Sequence, residues 1–96
     1  MELQDHITPI VKQIIADRLN ISVLSVKDSS RLVNDLGADS LEVVEIAMDI
    51  EEKYNISLND VLIEKAETVS DLITYVKSVW EDKCNNTSLS SLRNSL

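Results

Sequence analysis

The sequence contains no phenylalanine and only one glycine, one proline and one cysteine among its 96 residues. A single cysteine cannot form an internal disulfide, so we expect a reducing compartment. No apolar run approaches the roughly 20 residues that a membrane-spanning helix needs, and the N-terminus has no basic stretch followed by an apolar one. The composition therefore predicts a soluble, cytoplasmic protein that does not insert into a membrane.

Positive charge is also scarce. The chain has 9 Lys and Arg against 17 Asp and Glu, which gives a formal net charge of -8. This charge argues against nucleic acid as a partner and favours proteins that present Lys and Arg. Hydrophobic residues still make up 44% of the chain, too many for a disordered protein. We expect a monomer whose modest core consists of Leu, Ile and Val.

Apolar residues recur at helical spacing, and no segment alternates as a strand would. The first helix is predicted to begin at Thr8, as N-cap, or at Pro9, because proline suits the first helical position, and to end near Leu19. The second should run from Asp39, as N-cap, to about Tyr54. The pattern predicts a long first loop after the first helix, with its apolar residues laid against the bundle.

Two further helices are expected near the end of the chain. Asn59 can cap a short third helix over residues 60–65, and Thr68 with Asp71 can cap the fourth. The fold class is therefore an all-α four-helix bundle with three longer helices, one short third helix and a long first loop. Residues 1–80 form the predicted domain, and residues 81–96 are expected to be a flexible polar C-terminal tail, because their composition changes to Ser, Asn and charged residues.

The most informative stretch is Asp35-Leu36-Gly37-Ala38-Asp39-Ser40-Leu41-Glu42, at the start of the second helix. Asp39 and Glu42 have the spacing of a capping box, which places Ser40 at the first helical position beside unpaired N–H groups. Seven acids and no Lys or Arg occupy residues 35–52. A helix start favours a phosphate, so this serine is a candidate site for a phosphate ester on an otherwise anion-repelling surface.

The second helix has two apolar stripes. The wider one should face the core and comprises Val43, Ile46, Ala47, Ile50 and Tyr54. The narrower one comprises Leu41, Val44 and Met48, and it is bordered by Glu42, Glu45 and Asp49. Apolar residues edged by acids predict a docking surface for a basic partner. Packing of the narrow stripe against the long loop is the alternative; it is as well supported for Leu41, whereas Met48 is expected to be exposed.

The sequence does not indicate an enzyme. A Ser-His-Asp site would have to use the lone His6, which lies in a distant segment, and Cys84 has no partner that would lower its pKa. The chain contains no HExxH, CxxC or glycine-rich phosphate motif. An EF-hand loop with Gly37 at its sixth position would begin at Leu32, which cannot bind calcium through its side chain.

The chain resembles the acyl carrier proteins from about Ile7 to Val79. The resemblance is carried by Asp35-Leu36-Gly37-Ala38-Asp39-Ser40-Leu41, by the acidic helix that follows, and by Glu64-Lys65-Ala66-Glu67-Thr68-Val69 before the last helix. It implies that 4′-phosphopantetheine is attached to Ser40, beside the N-cap Asp39. It also implies that the partners are a phosphopantetheinyl transferase (holo-acyl-carrier-protein synthase) and fatty acid synthesis enzymes with basic docking patches. The acyl chains, held as thioesters on the arm, could shelter between the helices.

The third helix departs from the family pattern, because Val61-Leu62-Ile63 stands where similar proteins are acidic. One of the three is therefore expected to be exposed or to line an acyl pocket. Two alternatives to fatty acid synthesis remain at this point. The chain could be an aminoacyl, peptidyl, polyketide or specialised lipid carrier, although Gly37-Ala38-Asp39 differs from the Gly-Gly context common there. It could also be a helical interaction module that carries no arm and binds through Leu41, Val44 and Met48.

Overall fold

The structure is a computed structural model that describes the backbone of residues 6–95 and the side chains of residues 6–83. Four α-helices follow one another along the chain: α1 (Ile7–Leu19), α2 (Ser40–Tyr54), α3 (Asp60–Lys65) and α4 (Val69–Ser95). A single 3₁₀ turn, Val23–Ser25, lies in the first connection. This order confirms the predicted all-α fold with a short third helix and a long first loop.

Helix α1 begins earlier than the sequence predicts. Its first residue is Ile7, and His6 takes the N-cap position without a side-chain hydrogen bond, so Thr8 is not the cap and Pro9 is the third helical residue. The first four N–H groups of a helix have no intrahelical acceptor, so a proline there removes no hydrogen bond. Burial of Ile7, which is 3% exposed, favours the additional turn. The predicted end at Leu19 is confirmed.

The core lies between α1, α2 and α4. The wide stripe of α2 is buried as predicted: Val43, Ile46, Ala47, Ile50 and Tyr54. Val11 and Ile15 from α1 and Val69, Leu72 and Val76 from α4 are also buried. These residues are aliphatic apart from Tyr54, so shape and burial of branched side chains stabilise the domain.

The long first loop is fastened to the bundle at several points. Val26, Leu32 and Ala38 are buried in the core, whereas Leu24 and Val33 are exposed, so only part of the loop's apolar side packs as predicted. The loop backbone also pairs with the start of α4. Arg31 and Thr68 form an isolated antiparallel bridge, flanked by main-chain bonds of 2.9 Å. The segment that leads into α2 is therefore held by its buried side chains and by its main-chain bonds to the start of α4.

Two side chains position α3. The Leu58 N–H donates to Glu51 Oε2 at 2.7 Å, and the Asn59 N–H donates to the Tyr75 hydroxyl at 2.8 Å. Asn59 then caps α3, because its Oδ1 accepts from the N–H groups of Val61 and Leu62. Both the cap and the bounds of α3 agree with the sequence prediction. The connection between α2 and α3 is thus tied to α2 on one side and to α4 on the other.

Helix α4 begins at the predicted cap and continues past the predicted end of the domain. The Asp71 N–H donates to Thr68 Oγ1 at 3.1 Å, and the Thr68 N–H donates to Asp71 Oδ2 at 3.2 Å. The helical backbone then extends to Ser95, through the residues for which the sequence predicts a polar tail. The domain boundary at residue 80 and the flexibility of residues 81–96 stay predictions. The side chain of Cys84 lies outside the described residues.

Candidate functional site

The start of α2 has the geometry that the sequence predicts. Asp39 adopts an extended conformation, and its Oδ1 accepts from the Glu42 N–H at 2.8 Å. In return, Glu42 Oε1 accepts from the Asp39 N–H at 3.1 Å. These two bonds form a complete capping box, which fixes Ser40 as the first residue of α2 with its side chain exposed. Asp39 and Glu42 therefore stabilise the start of α2, and they affect Ser40 only by fixing the position of that helix start.

The backbone around Ser40 leaves hydrogen-bond donors available. Asp39 accounts for the N–H of Glu42 through its side chain and for that of Val43 through its carbonyl. In the part of the chain that the structure describes, no acceptor faces the N–H of Ser40 or of Leu41. Together with the helix dipole, these two groups favour an anion beside the Ser40 hydroxyl.

The turn before Ser40 depends on the chain's single glycine. Gly37 has a φ of 77°, in the left-handed region that most side chains disfavour. A Cβ at this position would meet no atom within 4 Å, so the backbone conformation, and not a lack of space, calls for glycine. The turn closes when the Ala38 N–H donates to the Leu32 carbonyl at 2.9 Å. Ala38 is thereby buried directly before a cap and a serine that are both exposed.

A cavity of about 360 Å³ opens beside Ser40. It lies between the loop, α2 and α3, and its walls are Val33, Ser40, Val43, Val44, Ile63, Glu64 and Ala66. Five of these seven residues are apolar, and Ile63 is almost fully buried. Its neighbours in α3 differ, because Val61 and Leu62 are exposed. The apolar run of α3 is therefore divided, with Ile63 as a cavity wall and two residues, where one was expected, on the surface; an acyl chain in this cavity stays a prediction.

The narrow stripe of α2 is divided in its exposure. Leu41 is 64% exposed and Met48 is 58% exposed, so neither packs against the loop. Val44 is half-buried and lines the cavity instead. The three residues therefore do not form one uniform exposed strip. Leu41 and Met48 remain accessible to a partner, whereas Val44 also faces the cavity beside Ser40.

The acids of the predicted docking surface are not equally free. Asp49 accepts a bidentate contact from Arg18 of α1, with Nη2 at 2.7 Å from Oδ2 and at 2.9 Å from Oδ1. Arg18 Nη1 also lies 3.8 Å from Glu45 Oε1. The hydrogen bond and the charge of Asp49 raise the pKa of Arg18 above its usual value, and a guanidinium is protonated at any physiological pH in either case. A positive charge thus sits against a helix face whose own sequence, up to Glu52, has none.

The lone histidine lies at the opposite end of α2. The His6 ring is centred 5.8 Å from Tyr54 and 6.0 Å from Trp80. Tyr54 and Ser40 are the two ends of a 15-residue helix, about 21 Å apart at 1.5 Å per residue. Among the described residues, no three His, Cys, Asp or Glu side chains come together as a metal site, and no helix has the length and apolarity of a membrane span.

Sequence reasoning missed Arg18 and the cavity walls Val33, Glu64 and Ala66. A signal for Arg18 was present, because it lies three residues after Ile15 and seven after Val11, both fully buried. A cation at the border of a core-facing stripe must lie beside a neighbouring helix. Which helix that would be could not be read from α1 alone. Val33 likewise looked like one more apolar loop residue until α3 was placed beside it.

Comparison with known proteins identifies one family. Residues 9–76 match the family model described as "Phosphopantetheine attachment site". An acyl carrier protein of Wolinella succinogenes is 44% identical over 68 residues, which span 71% of this chain and 90% of the relative. Acyl carrier proteins of Clostridium acetobutylicum and Thermotoga maritima are 43% and 35% identical over 75% and 80% of this chain and over 94% and 95% of their own lengths.

A solved structure agrees on the fold. The NMR structure of the HMG-ACPI domain from the CurA module of Lyngbya majuscula matches with a TM-score of 0.69. The match covers 86% of this chain and 90% of that domain, at 24% sequence identity. At this identity the match shows the helical architecture and carries nothing about function. The four helices with a short third are therefore shared with a protein of quite different sequence.

Proposed function

Because this chain belongs to the acyl carrier protein family, whose members carry phosphopantetheine, we propose that Ser40 is the residue to which 4′-phosphopantetheine is attached. The chain is a carrier in fatty acid synthesis and not an enzyme. The observation that carries the assignment is the exposed position of Ser40 at the start of α2, beside the unpaired N–H groups of Ser40 and Leu41. A phosphate ester on its hydroxyl would be stabilised there by the helix dipole.

The residues around Ser40 fit such a group. Asp39 holds the helix start in place, and Gly37 supplies the turn that brings the serine to the surface. When bound, 4′-phosphopantetheine supplies a terminal thiol that holds acyl groups as thioesters. The apolar walls of the adjacent cavity, among them Val44 and Ile63, could bury part of an acyl chain and exclude water from it.

We further propose that α2 is the face on which partner enzymes dock. Leu41 and Met48 supply exposed apolar contact area, and Glu42, Glu45 and Asp49 supply negative charge along the same helix. Basic patches on a phosphopantetheinyl transferase and on the enzymes of fatty acid synthesis would complement this face. The proposed compartment is the cytoplasm, where one cysteine without an internal disulfide partner is unremarkable.

The attachment site can be tested by intact mass. The full chain is incubated with coenzyme A, magnesium and a phosphopantetheinyl transferase, and we expect wild type to gain one phosphopantetheine. Ser40→Ala should gain none, because it lacks the hydroxyl that forms the ester. Ser70→Ala is the matched control, since Ser70 is an exposed serine in the first turn of α4. The assignment fails if wild type stays unmodified or if Ser40→Ala gains the same mass.

The kind of cargo is tested by loading the modified protein. Malonyl and aminoacyl donors are offered with their respective transferases, and the thioester is measured by mass. We expect malonyl loading, as the family's role in fatty acid synthesis implies. Preferential aminoacyl loading would instead assign the chain to a peptide-forming pathway while leaving the attachment at Ser40 intact.

A further inference from the structure

Arg18 is the point at which the proposed docking face departs from a simple acidic surface. Three of its contacts with Asp49 are between 2.7 and 3.1 Å, from Nε and Nη2 to the two carboxylate oxygens. A planar guanidinium that meets a carboxylate in this way is held in both distance and orientation. The contact joins α1 to α2 across 31 residues of sequence.

The second contact extends the influence of Arg18 towards the serine. Nη1 lies 3.8 Å from Glu45, which is one helical turn nearer to Ser40 than Asp49 is. The three charges sum to -1, whereas Glu45 and Asp49 alone would sum to -2. A basic side chain that approaches therefore meets a like charge, which lies 2.7 Å from Asp49 and 3.8 Å from Glu45.

All three side chains remain accessible. Arg18 is 38% exposed, and Glu45 and Asp49 are exposed to a similar degree. Solvent screens an ion pair of this kind, so it can open at small cost and its acids can be taken over by another cation. The pair is therefore exchangeable, unlike the capping box of Asp39 and Glu42, whose opening would also leave the start of α2 uncapped.

We propose that Arg18 weakens docking on α2 by competing with the basic residues of a phosphopantetheinyl transferase for Glu45 and Asp49. The inference rests on the proposed function of the α2 face. A partner that relies on these two acids must displace Arg18, whereas a partner that binds at Leu41 and Glu42, nearer to Ser40, need not. Arg18 thus lowers the affinity of the α2 face for a transferase that contacts Glu45 and Asp49.

The experiment measures phosphopantetheine loading by a transferase at varied carrier concentration, at low and at high salt. The test variant is Arg18→Gln, which removes the charge and keeps much of the stem. The control is Lys12→Gln, which also lies on α1 and changes the net charge equally, but Lys12 pairs with Asp28 of the loop, at 2.6 Å, and not with α2. Comparing the two separates a local effect at α2 from a general increase in negative charge.

We expect Arg18→Gln to raise kcat/KM about two- to fivefold over Lys12→Gln at low salt, the range that exposed ion pairs support. The gain should come from a lower KM with kcat unchanged, and it should shrink at high salt. Arg18→Lys keeps the charge but loses the two-pronged contact with Asp49, so it should fall between wild type and Arg18→Gln. Asp49→Asn in the Arg18→Gln background should remove most of the gain, because it removes an acid that was freed.

Two results would overturn the inference: equal gains in Arg18→Gln and Lys12→Gln, or a higher KM in Arg18→Gln. The second would mean that Arg18 presents the acids to the partner instead of competing for them. Thermal unfolding of each variant shows whether a loss of loading reflects unfolding. If Arg18→Gln is unfolded, the effect of Asp49→Asn on KM is measured in the Arg18→Lys background instead. If wild type takes up no phosphopantetheine, the proposed function itself fails and this inference with it. If wild type is loaded but Arg18→Gln has the same kcat/KM, only this inference fails.

Discussion

Helices α2 and α4 begin with the same kind of cap, but the first residue of one is exposed and the first residue of the other is buried. Each has a reciprocal pair of side-chain and backbone bonds, between Asp39 and Glu42 in α2 and between Thr68 and Asp71 in α4. The first helical residue is exposed in α2, where it is Ser40. In α4 it is Val69, which is fully buried. The cap therefore decides where a helix begins, and the packing around it decides whether that beginning can present a chemical group.

The difference continues in the backbone. In α4 the Val69 N–H donates to the Ser30 carbonyl and the Ser70 N–H to the Asp28 carbonyl, both at 2.9 Å. The loop thus occupies the donors that would otherwise favour an anion. The equivalent donors of α2, on Ser40 and Leu41, have no such acceptor among the described residues. A helix start is suited to a phosphate only where no other part of the chain has already used it.

Exchanging the two first residues should give the largest effect. Val69→Ser removes buried methyl groups and adds a buried hydroxyl, and we expect it to lower the free energy of unfolding by about 2–4 kcal/mol. Ser40→Val changes an exposed position and should stay within about 0.5 kcal/mol of wild type. Urea unfolding followed by circular dichroism measures both. Equal losses would contradict the contrast between a buried and an exposed helix start.

Removing the two caps should give an intermediate effect on stability and a divided effect on function. Asp39→Ala and Thr68→Ala should each cost about 0.5–2 kcal/mol, because each leaves a helix N–H without its acceptor. Only Asp39→Ala should also slow the loading of Ser40, since it loosens the turn of α2 that bears the serine. Loading rates are compared at a temperature where both variants are folded. A matching slowdown in Thr68→Ala would mean that the caps act through the whole fold.

The smallest effect concerns acid stability. Backbone N–H groups of Thr68 and Glu67 donate to Asp71 and lower its pKa below the ordinary value for aspartate. A carboxylate whose pKa is lower in the folded state stabilises the fold above its unfolded pKa, and the contribution is lost as pH falls through the folded pKa. Asp71→Asn should therefore flatten the decline in unfolding free energy below about pH 4. An unchanged acid profile would mean that this cap is too exposed to matter.

Features governed by neighbouring residues in the chain could be predicted from the sequence. The caps at Asp39, Asn59 and Thr68 and the buried stripe of α2 depend on spacings of two to four residues, and all of them are found in the structure. The start of α1 was misplaced because Pro9 can occupy any position in the first turn, not only the first. Burial of Ile7 outweighed the preference of proline for the first helical position.

Features that join distant segments could not be predicted in the same way. Arg18 and Asp49 meet only because α1 and α2 pack side by side, and the sequence of either helix is compatible with other arrangements. The bonds that the Val69 and Ser70 N–H groups donate to the loop carbonyls involve main-chain atoms, which leave no trace in side-chain patterns. The candidate site was therefore predictable at Ser40 and Asp39, and less so at the cavity walls supplied by the loop and α3.

The main-chain pairing between the loop and α4 has a consequence for which substitutions the loop can accept. The donors are the N–H groups of Leu32, Val69 and Ser70, and any residue except proline supplies the same group. Exposed loop side chains such as Leu24 can therefore change, or receive a label, while the loop keeps its course and Ser40 its place. Proline at position 32, 69 or 70 would instead remove one of these bonds and weaken the attachment of the loop. The surface of this loop can thus vary while the geometry at the serine stays the same.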